Sequence, residues 1–142
     1  MILGIGTDIV EIERIRLAVE RNEKFISRVF SENEIKYFTE RNFKPEFVAG
    51  RFAAKEAVVK ALGTGFSGFD FSDIDIDRNT AGKPFVRLKG KAEQFAKKYG
   101  KYKLHISISH EKKNAIAFAV FEGEENENSN SADNEKYWSV LY

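Results

Sequence analysis

The sequence contains no cysteine, and this absence excludes every chemistry that needs a thiol. The chain can have no disulfide, no cysteine-ligated zinc and no cysteine nucleophile. It contains two histidines, His105 and His110, which are too few for a histidine-rich metal site. These shortages favour oxygen ligands for any bound metal ion.

Long apolar segments are also missing from the sequence. No run reaches the roughly 18 apolar residues of a membrane-spanning helix, and strand-like residues begin at Ile2, where a signal peptide would be basic and then apolar. We therefore expect a soluble, cytoplasmic protein without a membrane partner. A length of 142 residues allows one domain with a single core.

The net charge of +1 conceals an uneven distribution of charge. Residues 122–142 hold six of the 22 acidic residues and only Lys136 of the 23 basic ones, so the rest of the chain is basic. Residues 124–135 are rich in Glu, Asn and Ser, and such a segment buries too little apolar surface to offset its ordering entropy. We expect a domain over residues 1–123 and an acidic, disordered tail over 124–142. The apolar end of the tail, residues 137–142, could dock on the domain or remain loose.

Periodicity in the first half predicts a strand followed by helices. Ile2 to Ile9 reads as a strand, and a helix is expected from about Glu11. Ser31 and Glu34 have the spacing of a capping box, which starts a helix through Arg41. Pro45 suits a first helical turn, and a long, buried central helix is expected up to Leu62.

The second half of the chain predicts mainly strands. A hairpin joins Ile74–Asp77 to Lys83–Lys89, a surface helix spans Lys91–Tyr99, and two further strands follow at Leu104–Ser109 and Ala115–Phe121. The last strand is apolar on both faces, so one face could meet another subunit. The whole pattern predicts an α+β fold with a small antiparallel sheet packed on the long central helix.

Two acidic residues in different segments carry the chemical argument. Asp8 follows a glycine-spaced apolar stretch, and Glu56 lies one helical turn before Lys60. Two carboxylates could hold Mg²⁺ beside a phosphate, which Lys60 would neutralise. By themselves, Asp8 could instead be a helix N-cap, and Glu56 and Lys60 a solvated helix pair.

Other polar motifs also allow two interpretations. The glycines around Thr64 could stop the helix or let backbone N–H groups approach phosphate oxygens. Gly82-Lys83-Pro84 has the composition of a hairpin exit, and His110 could be exposed in a turn. Arg51 and Lys55 lie one turn apart on the central helix and could simply solvate it.

A basic segment lies between Arg14 and Arg28. It contains five basic residues and only two acids, with Ile15 and Phe25 among them. A solvated basic helix or a nucleic-acid contact would account for the charge. However, no nucleic-acid motif accompanies it, so no nucleic-acid partner is expected.

Three segments together resemble one protein family. The segments Gly4-Ile5-Gly6-Thr7-Asp8, Arg51-Phe52-Ala53-Ala54-Lys55-Glu56-Ala57 running to Gly65, and Ile106-Ser107-Ile108-Ser109-His110 are similar in order and spacing to the signatures of the holo-[acyl-carrier-protein] synthases. This family is the small bacterial type of 4'-phosphopantetheinyl transferase. The resemblance covers about residues 1 to 122.

The resemblance implies a fold, a reaction and a set of residues. The reaction would move the 4'-phosphopantetheine group of coenzyme A to a serine of apo acyl carrier protein, releasing adenosine 3',5'-bisphosphate, in fatty acid biosynthesis. Asp8 and Glu56 would bind Mg²⁺ and act in catalysis with Lys60. The serine proton would pass to Glu56 or to a water bound to the ion. Coenzyme A would be held by Arg51, Lys60, Gly63, Gly65, Lys83, Pro84, Ser109 and His110.

The resemblance also implies partners. Acyl carrier protein, which is small, acidic and helical, would dock on Arg14, Arg21, Lys24, Phe25 and Arg28. The chain would form a homotrimer with its sites between subunits. Two rival functions are a metal-dependent phosphohydrolase using the same acids and a non-enzymatic basic adaptor, but neither accounts for all three segments.

Overall fold

The structure is a computed structural model that describes residues 1–63 and 69–124. Five strands and five α-helices occur in this part of the chain. The strands are β1 (Ile2–Glu11), β2 (Ile74–Arg78), β3 (Pro84–Leu88), β4 (Tyr102–His110) and β5 (Asn114–Gly123). The helices are α1 (Ile12–Arg21), α2 (Phe25–Val29), α3 (Glu32–Thr39), α4 (Pro45–Leu62) and α5 (Gly90–Lys97), and a 3-10 helix (Phe71–Asp73) precedes β2.

The strands form two antiparallel sheets. The larger has the order β1-β5-β4, and β2 and β3 make a separate hairpin. In the larger sheet Asp8 lies opposite Ala117, which in turn lies opposite Ile108 of β4. The α+β architecture predicted from the sequence is confirmed.

The central helix α4 has the predicted bounds. Pro45 occupies its first turn, where a missing N–H costs nothing, and Gly63 ends it in the left-handed conformation with a φ of 79°. Alanines on the helix let it lie close to the sheet. A Cβ atom at Gly4 or Gly6 of β1 would overlap the carbonyl oxygen of Ala61 or Ala57, so only glycine allows this approach.

The apolar core has two parts that share α4. One part packs α4 between the larger sheet and the β2–β3 hairpin. The other packs α4 against the first three helices through residues such as Phe30 and Phe38. In β5 the alanines face α4, while Ile116 and Phe118 are exposed on the opposite face of the sheet.

Some predicted boundaries differ from the structure by one or two residues. β1 continues to Glu11 because its pairing with β5 extends to Asn114. α3 ends at Thr39 and α5 runs from Gly90 to Lys97. Gly123, the last strand residue, is buried and exchanges backbone hydrogen bonds with Met1.

Two further predictions concern the tail and membranes. The tail from residue 125 onward lies outside the described residues. Within the described part of the chain, no helix is long and apolar enough to cross a membrane.

Candidate active site

Asp8 is positioned by the close packing of β1 on α4. It lies on the face of β1 that Gly4 and Gly6 open to the helix, and its side chain is half-buried. The Lys60 ammonium donates a hydrogen bond to the backbone oxygen of Thr7 at 2.9 Å and lies 3.4 Å from Asp8 Oδ1. The helix therefore brings a cation to the strand carboxylate.

The two acids are held with raised pKa values. Burial raises the pKa of Asp8, and the nearby Lys60 ammonium opposes this shift. Burial also raises the pKa of Glu56, and the charge of Asp8 raises it further. Two partly dehydrated carboxylates that repel each other form a site suited to a cation.

The carboxylate pair fits a magnesium ion in its donor chemistry. Mg²⁺ takes oxygen ligands and is usually held by one or two carboxylates, with phosphates and water completing the shell. In the described residues no group of three or more His, Cys, Asp or Glu side chains could hold a metal. The donor chemistry of Asp8 and Glu56 fits a magnesium ion whose remaining ligands would come from substrate and water.

The structure excludes the N-cap interpretation of Asp8. The residue before α1 is Glu11, so Asp8 is not the N-cap of that helix but a residue within β1. Glu56 is half-buried beside Asp8 and is not a fully solvated partner of Lys60.

A cleft of about 520 Å³ lies between α3, α4 and the turn that joins β2 to β3. Arg51, Tyr37, Arg78 and Gly82 are among the residues that line it. The guanidinium carbon of Arg51 lies 4.0 Å from the centre of the Tyr37 ring, and those of Arg41 and Arg78 lie at 3.7 and 5.2 Å. Within the described residues, Arg51 Nε is buried and has no hydrogen-bond partner. Arg41 and Arg78 also lie 3.8 and 3.9 Å from the Glu40 carboxylate, so Arg51 is the cation of this group best placed to meet an anionic ligand.

Sequence reasoning found Arg51 but missed its neighbours Tyr37, Arg41 and Arg78. The spacing of Tyr37 and Arg41, one turn apart on a predicted helix, was a usable signal. Arg78 lies on the hairpin, and nothing local in the sequence connects it to them.

Arg51 and Lys55 are both buried, so the prediction that they could merely solvate α4 is wrong. Lys55 pairs with Glu34 at 2.7 Å, and neither side chain is exposed to solvent. The packing of α3 and the hairpin against this face of α4 covers both residues.

Lys83 ends the turn between β2 and β3, and Pro84 is the first residue of β3. Asn79 Oδ1 accepts hydrogen bonds from the backbone N–H groups of Ala81 and Lys83, and Gly82 has a φ of 87°. The hairpin-exit interpretation is therefore confirmed. Gly82 also lines the cleft beside Arg51.

Ser109 and His110 end β4. Ser109 is exposed on the face of the sheet that points away from α4. The ring of His110 packs edge-on against Phe47 of α4 at 6.2 Å between centroids. Gly63 acts as the helix stop, and Gly65 lies outside the described residues.

Among the described residues of the single chain, the predicted coenzyme residues do not all line one pocket. Glu56 and Lys60 lie one turn apart on one face of α4, and Arg51 and Lys55 lie on another face, about 140° around the helix. The cleft lined by Arg51 includes none of Asp8, Glu56 and Lys60.

The basic segment forms an exposed surface across two helices. Arg14 and Arg21 lie on α1, Arg28 on α2, and Lys24 just before α2; all four are exposed. Phe25 is half-buried, with its ring 6.0 Å from that of Phe52 and 6.1 Å from that of Phe30.

Arg16, the fifth basic residue of this segment, differs from the other four because acidic side chains of α1 already pair with it. It forms ion pairs with Glu13 and Glu20 along α1. Its charge is therefore matched within the helix.

Comparison with known proteins identifies the class to which this site belongs. Residues 4–120 match the model of the 4'-phosphopantetheinyl transferase superfamily. The chain therefore belongs to this superfamily.

Individual proteins of known name are also similar to this chain. The chain is 61% identical, over 94% of its length and 99% of the relative's, to the holo-[acyl-carrier-protein] synthase of Clostridium kluyveri. It superimposes with a TM-score of 0.78 and 36% identity on the holo-[acyl-carrier-protein] synthase of Neisseria meningitidis, covering 86% of this chain and 99% of that one.

A second similar structure contains a ligand. It is the holo-(acyl-carrier-protein) synthase of Bacillus anthracis in complex with CoA (3',5'-ADP), with a TM-score of 0.72 and 39% identity over 87% of this chain and 99% of that one. The resemblance inferred from the three sequence segments is confirmed.

Proposed function

We propose that this chain transfers the 4'-phosphopantetheine group of coenzyme A to a serine of apo acyl carrier protein, with Asp8, Glu56 and Lys60 at the reacting centre. Close relatives over almost the whole chain are holo-[acyl-carrier-protein] synthases, and a similar structure binds coenzyme A. The observation that carries the residue assignment is the coupled pair of half-buried carboxylates beside the Lys60 ammonium.

Asp8 and Glu56 would hold a magnesium ion, and Lys60 would act on the phosphate directly. When bound, the ion would polarise the pyrophosphate of coenzyme A and screen the leaving group. Lys60 is anchored by the Thr7 carbonyl and would neutralise the charge that develops on the transferred group. Glu56 is the proton acceptor that the chain itself offers to the attacking serine, and a water bound to the ion is the alternative acceptor.

Coenzyme A would also contact residues on the other face of α4 and at the strand ends. Arg51, Lys83, Pro84, Ser109 and His110 would hold the nucleotide, together with Gly63 and Gly65. Arg51 lies on a different face of α4 from the Asp8 centre, and Ser109 is exposed on the outer face of the sheet, so a neighbouring copy would be needed to complete each site. A homotrimer with sites between subunits satisfies this requirement.

The remaining parts of the proposal concern the partner, the location and the tail. Acidic carrier protein would dock on Arg14, Arg21, Lys24 and Arg28 around Phe25. Its encounter would be steered by opposite charge. A cytoplasmic location follows from the proposed substrates. The acidic tail would lie outside the catalytic unit, so a chain ending at Gly123 would keep its activity.

Mass spectrometry of apo acyl carrier protein incubated with coenzyme A and magnesium tests the function. Wild-type protein should add one phosphopantetheine group, and Asp8→Asn or Glu56→Gln should slow the addition at least about 100-fold. Glu46→Gln, on the first turn of the same helix, is the matched control and should behave as wild type.

The same assay separates the rival functions. A phosphohydrolase would release adenosine 3',5'-bisphosphate without carrier protein, and an adaptor would bind carrier protein without changing its mass. Near wild-type transfer by either acid variant would refute the assignment of Asp8 and Glu56.

A further inference from the structure

A fully buried ion pair outside the reacting centre ties three elements of the molecule together. Glu34 of α3 and Lys55 of α4 have no solvent-exposed side-chain surface, and their charged atoms lie 2.7 Å apart. Burial raises the pKa of Glu34 and lowers that of Lys55, and each charge opposes the shift of the other. The proposed transfer reaction uses neither residue.

The pair completes the free edge of the β2–β3 hairpin. β2 pairs with β3 along one edge, and on the other it has no strand neighbour within the described residues. On that side Lys55 Nζ donates to the backbone oxygen of Ile74 at 2.5 Å, and Glu34 Oε2 accepts from the backbone N–H of Ile76 at 2.9 Å. One donor and one acceptor thus take the place of a neighbouring strand.

Further hydrogen bonds leave little freedom in this arrangement. Lys55 gives its third proton to the oxygen of Phe71 at 2.9 Å, so every ammonium proton has an acceptor. Glu34 Oε1 also accepts from the backbone N–H of Ser31. The Ser31 hydroxyl donates to the buried Asp75 carboxylate of β2 at 2.6 Å. The hairpin is therefore fixed to α3 and α4 by directional contacts.

The elements that the ion pair joins, α3, α4 and the β2–β3 hairpin, also form the walls of the cleft that Arg51 lines. Arg51 lies one turn before Lys55 on α4, and Tyr37 lies three residues after Glu34 on α3. The hairpin contributes its wall from Ile76 to Gly82. Any shift of the hairpin relative to the two helices would change the spacing between Arg51, Tyr37 and Arg78.

Stability alone is a weak reason to bury such a pair. Apolar residues of similar size often stabilise a fold as well as, or better than, a buried ion pair. An apolar pair could fill the same volume, but it could not bond Ile74 O and Ile76 N–H. The specific gain from these charges is the position of the hairpin.

We propose that Glu34 and Lys55 are positioning residues for coenzyme binding, setting the distance between the hairpin wall of the cleft and α3 and α4. This inference rests on the proposed function, since it takes the cleft to be part of the coenzyme site. The pair acts through Arg51 and the hairpin and does not touch the reacting atoms.

The test measures coenzyme A binding by titration calorimetry and the steady-state kinetics of transfer. The main variant is Glu34→Leu with Lys55→Met, which removes both charges and leaves no unpaired buried ion. We expect its dissociation constant for coenzyme A and its coenzyme KM to rise about tenfold. Its kcat at saturating coenzyme and its carrier-protein KM should stay within about threefold of wild type.

Two comparisons distinguish positioning from a general loss of structure. Glu34→Gln with Lys55→Met keeps a side-chain acceptor for the Ile76 N–H and should recover part of the affinity. Glu32→Gln with Lys91→Met removes one exposed charge of each sign and should bind as wild type. If the main variant does not fold, Glu34→Gln with Lys55→Met is measured in its place, because it removes both charges but keeps an acceptor for the Ile76 N–H. It should then raise the dissociation constant about threefold.

Unchanged coenzyme affinity in the folded main variant, or in Glu34→Gln with Lys55→Met if that variant replaces it, would overturn the positioning role. Equal losses of kcat and coenzyme affinity would also overturn it. If wild-type protein itself failed to bind coenzyme A, the proposed function would fall first, and this inference with it.

Discussion

Asp8 and Glu56 occupy positions that folding stability by itself would not favour. Both carboxyl groups are partly dehydrated, and the charge of Asp8 adds to the cost of ionising Glu56. Groups perturbed in this way by burial and by a neighbouring charge are concentrated at functional sites. Ionising both carboxyl groups therefore destabilises the fold at the place where a cation is proposed to bind.

The raised pKa values of the two carboxyl groups make the stability of the fold depend on pH in a direction that can be stated. A carboxyl group with a raised pKa binds protons more readily in the fold than in the unfolded chain. Its contribution to stability is therefore present at low pH and is lost as the pH rises through the folded pKa. Without divalent metal, Glu56→Gln should be more stable than wild type at pH 8, and the difference should shrink towards pH 4.

Thermal unfolding in chelator at both pH values measures this difference. Glu46→Gln should differ much less from wild type in stability at pH 8 than Glu56→Gln does. A wild-type protein at least as stable as Glu56→Gln at pH 8 would contradict the proposed electrostatic cost.

At the scale of elements, the contact between β1 and α4 determines where the reacting groups lie. Gly6 faces Ala57 of α4 so closely that a Cβ atom would overlap the helix backbone. The overlap is with backbone, so side-chain rotation cannot relieve it. Asp8 and Lys60 are brought together by the same approach.

Gly6→Ala should therefore push α4 away from β1 and destabilise the fold by about 3 kcal/mol or more. Gly50→Ala is a useful control, because a Cβ atom there would meet a side-chain methyl group, Ile108 Cγ2, at 3.1 Å and no backbone atom. Alanine also favours a helix interior by about 1 kcal/mol over glycine. We expect the control to stay within about 1 kcal/mol of wild type in urea unfolding. Similar unfolding free energies for the two variants would argue against the tight β1–α4 contact.

The surface formed by α1 and α2 gives a second prediction at this scale. Reversing Arg14 and Arg21 to Glu should raise the carrier-protein KM at least about tenfold, because an acidic partner would then meet negative charge. Coenzyme A affinity should change less than about twofold. High salt should weaken the wild-type interaction in the same direction, since exposed charges are screened over about 8 Å at physiological ionic strength.

The matched control reverses Lys91 and Lys101, which are exposed and lie outside α1 and α2. It makes the same change in net charge and should leave the carrier-protein KM near the wild-type value. If the Arg14 and Arg21 variant lost coenzyme affinity but kept its carrier-protein KM, the basic surface would belong to the nucleotide site.

For the whole molecule, the outer face of the larger sheet is the feature that a single chain leaves unexplained. Ile5, Ile9, Ile116 and Phe118 lie on this face with 44 to 65% of their surface exposed. Neighbouring exposed apolar side chains on one sheet face indicate an interaction surface. Together with the division of the coenzyme residues between two faces of α4, this surface supports the proposed homotrimer.

Phe118→Asp should therefore convert trimers to monomers and reduce transfer at least about tenfold, because each site would lose its neighbouring copy. Sedimentation velocity and the transfer assay measure the two effects. Gln94→Asp, on the exposed side of α5, adds the same charge elsewhere and should remain trimeric and active. A wild-type protein that is monomeric and fully active would exclude assembly through this face.

The sequence by itself determined the elements whose signals are local. Pro45 and Gly63 mark the ends of α4, Ser31 and Glu34 form the predicted capping box, and alternation in β4 separates its buried face from its exposed face. Each of these signals involves only a few neighbouring residues, so it can be recognised in the sequence without knowing how the elements pack. The three family segments added Asp8, Glu56 and Lys60.

Only the tertiary structure decided which distant residues meet. Glu34 was predicted as a capping residue, but its pairing with Lys55 depends on how α3 packs across α4. The gathering of Arg51 and Arg78 around the Tyr37 ring depends on where the hairpin lies. Such contacts join residues far apart in the chain, and no local periodicity encodes them. The close approach of backbones and the burial of charge, which set the pKa values of the two acids, exist only once the chain is folded.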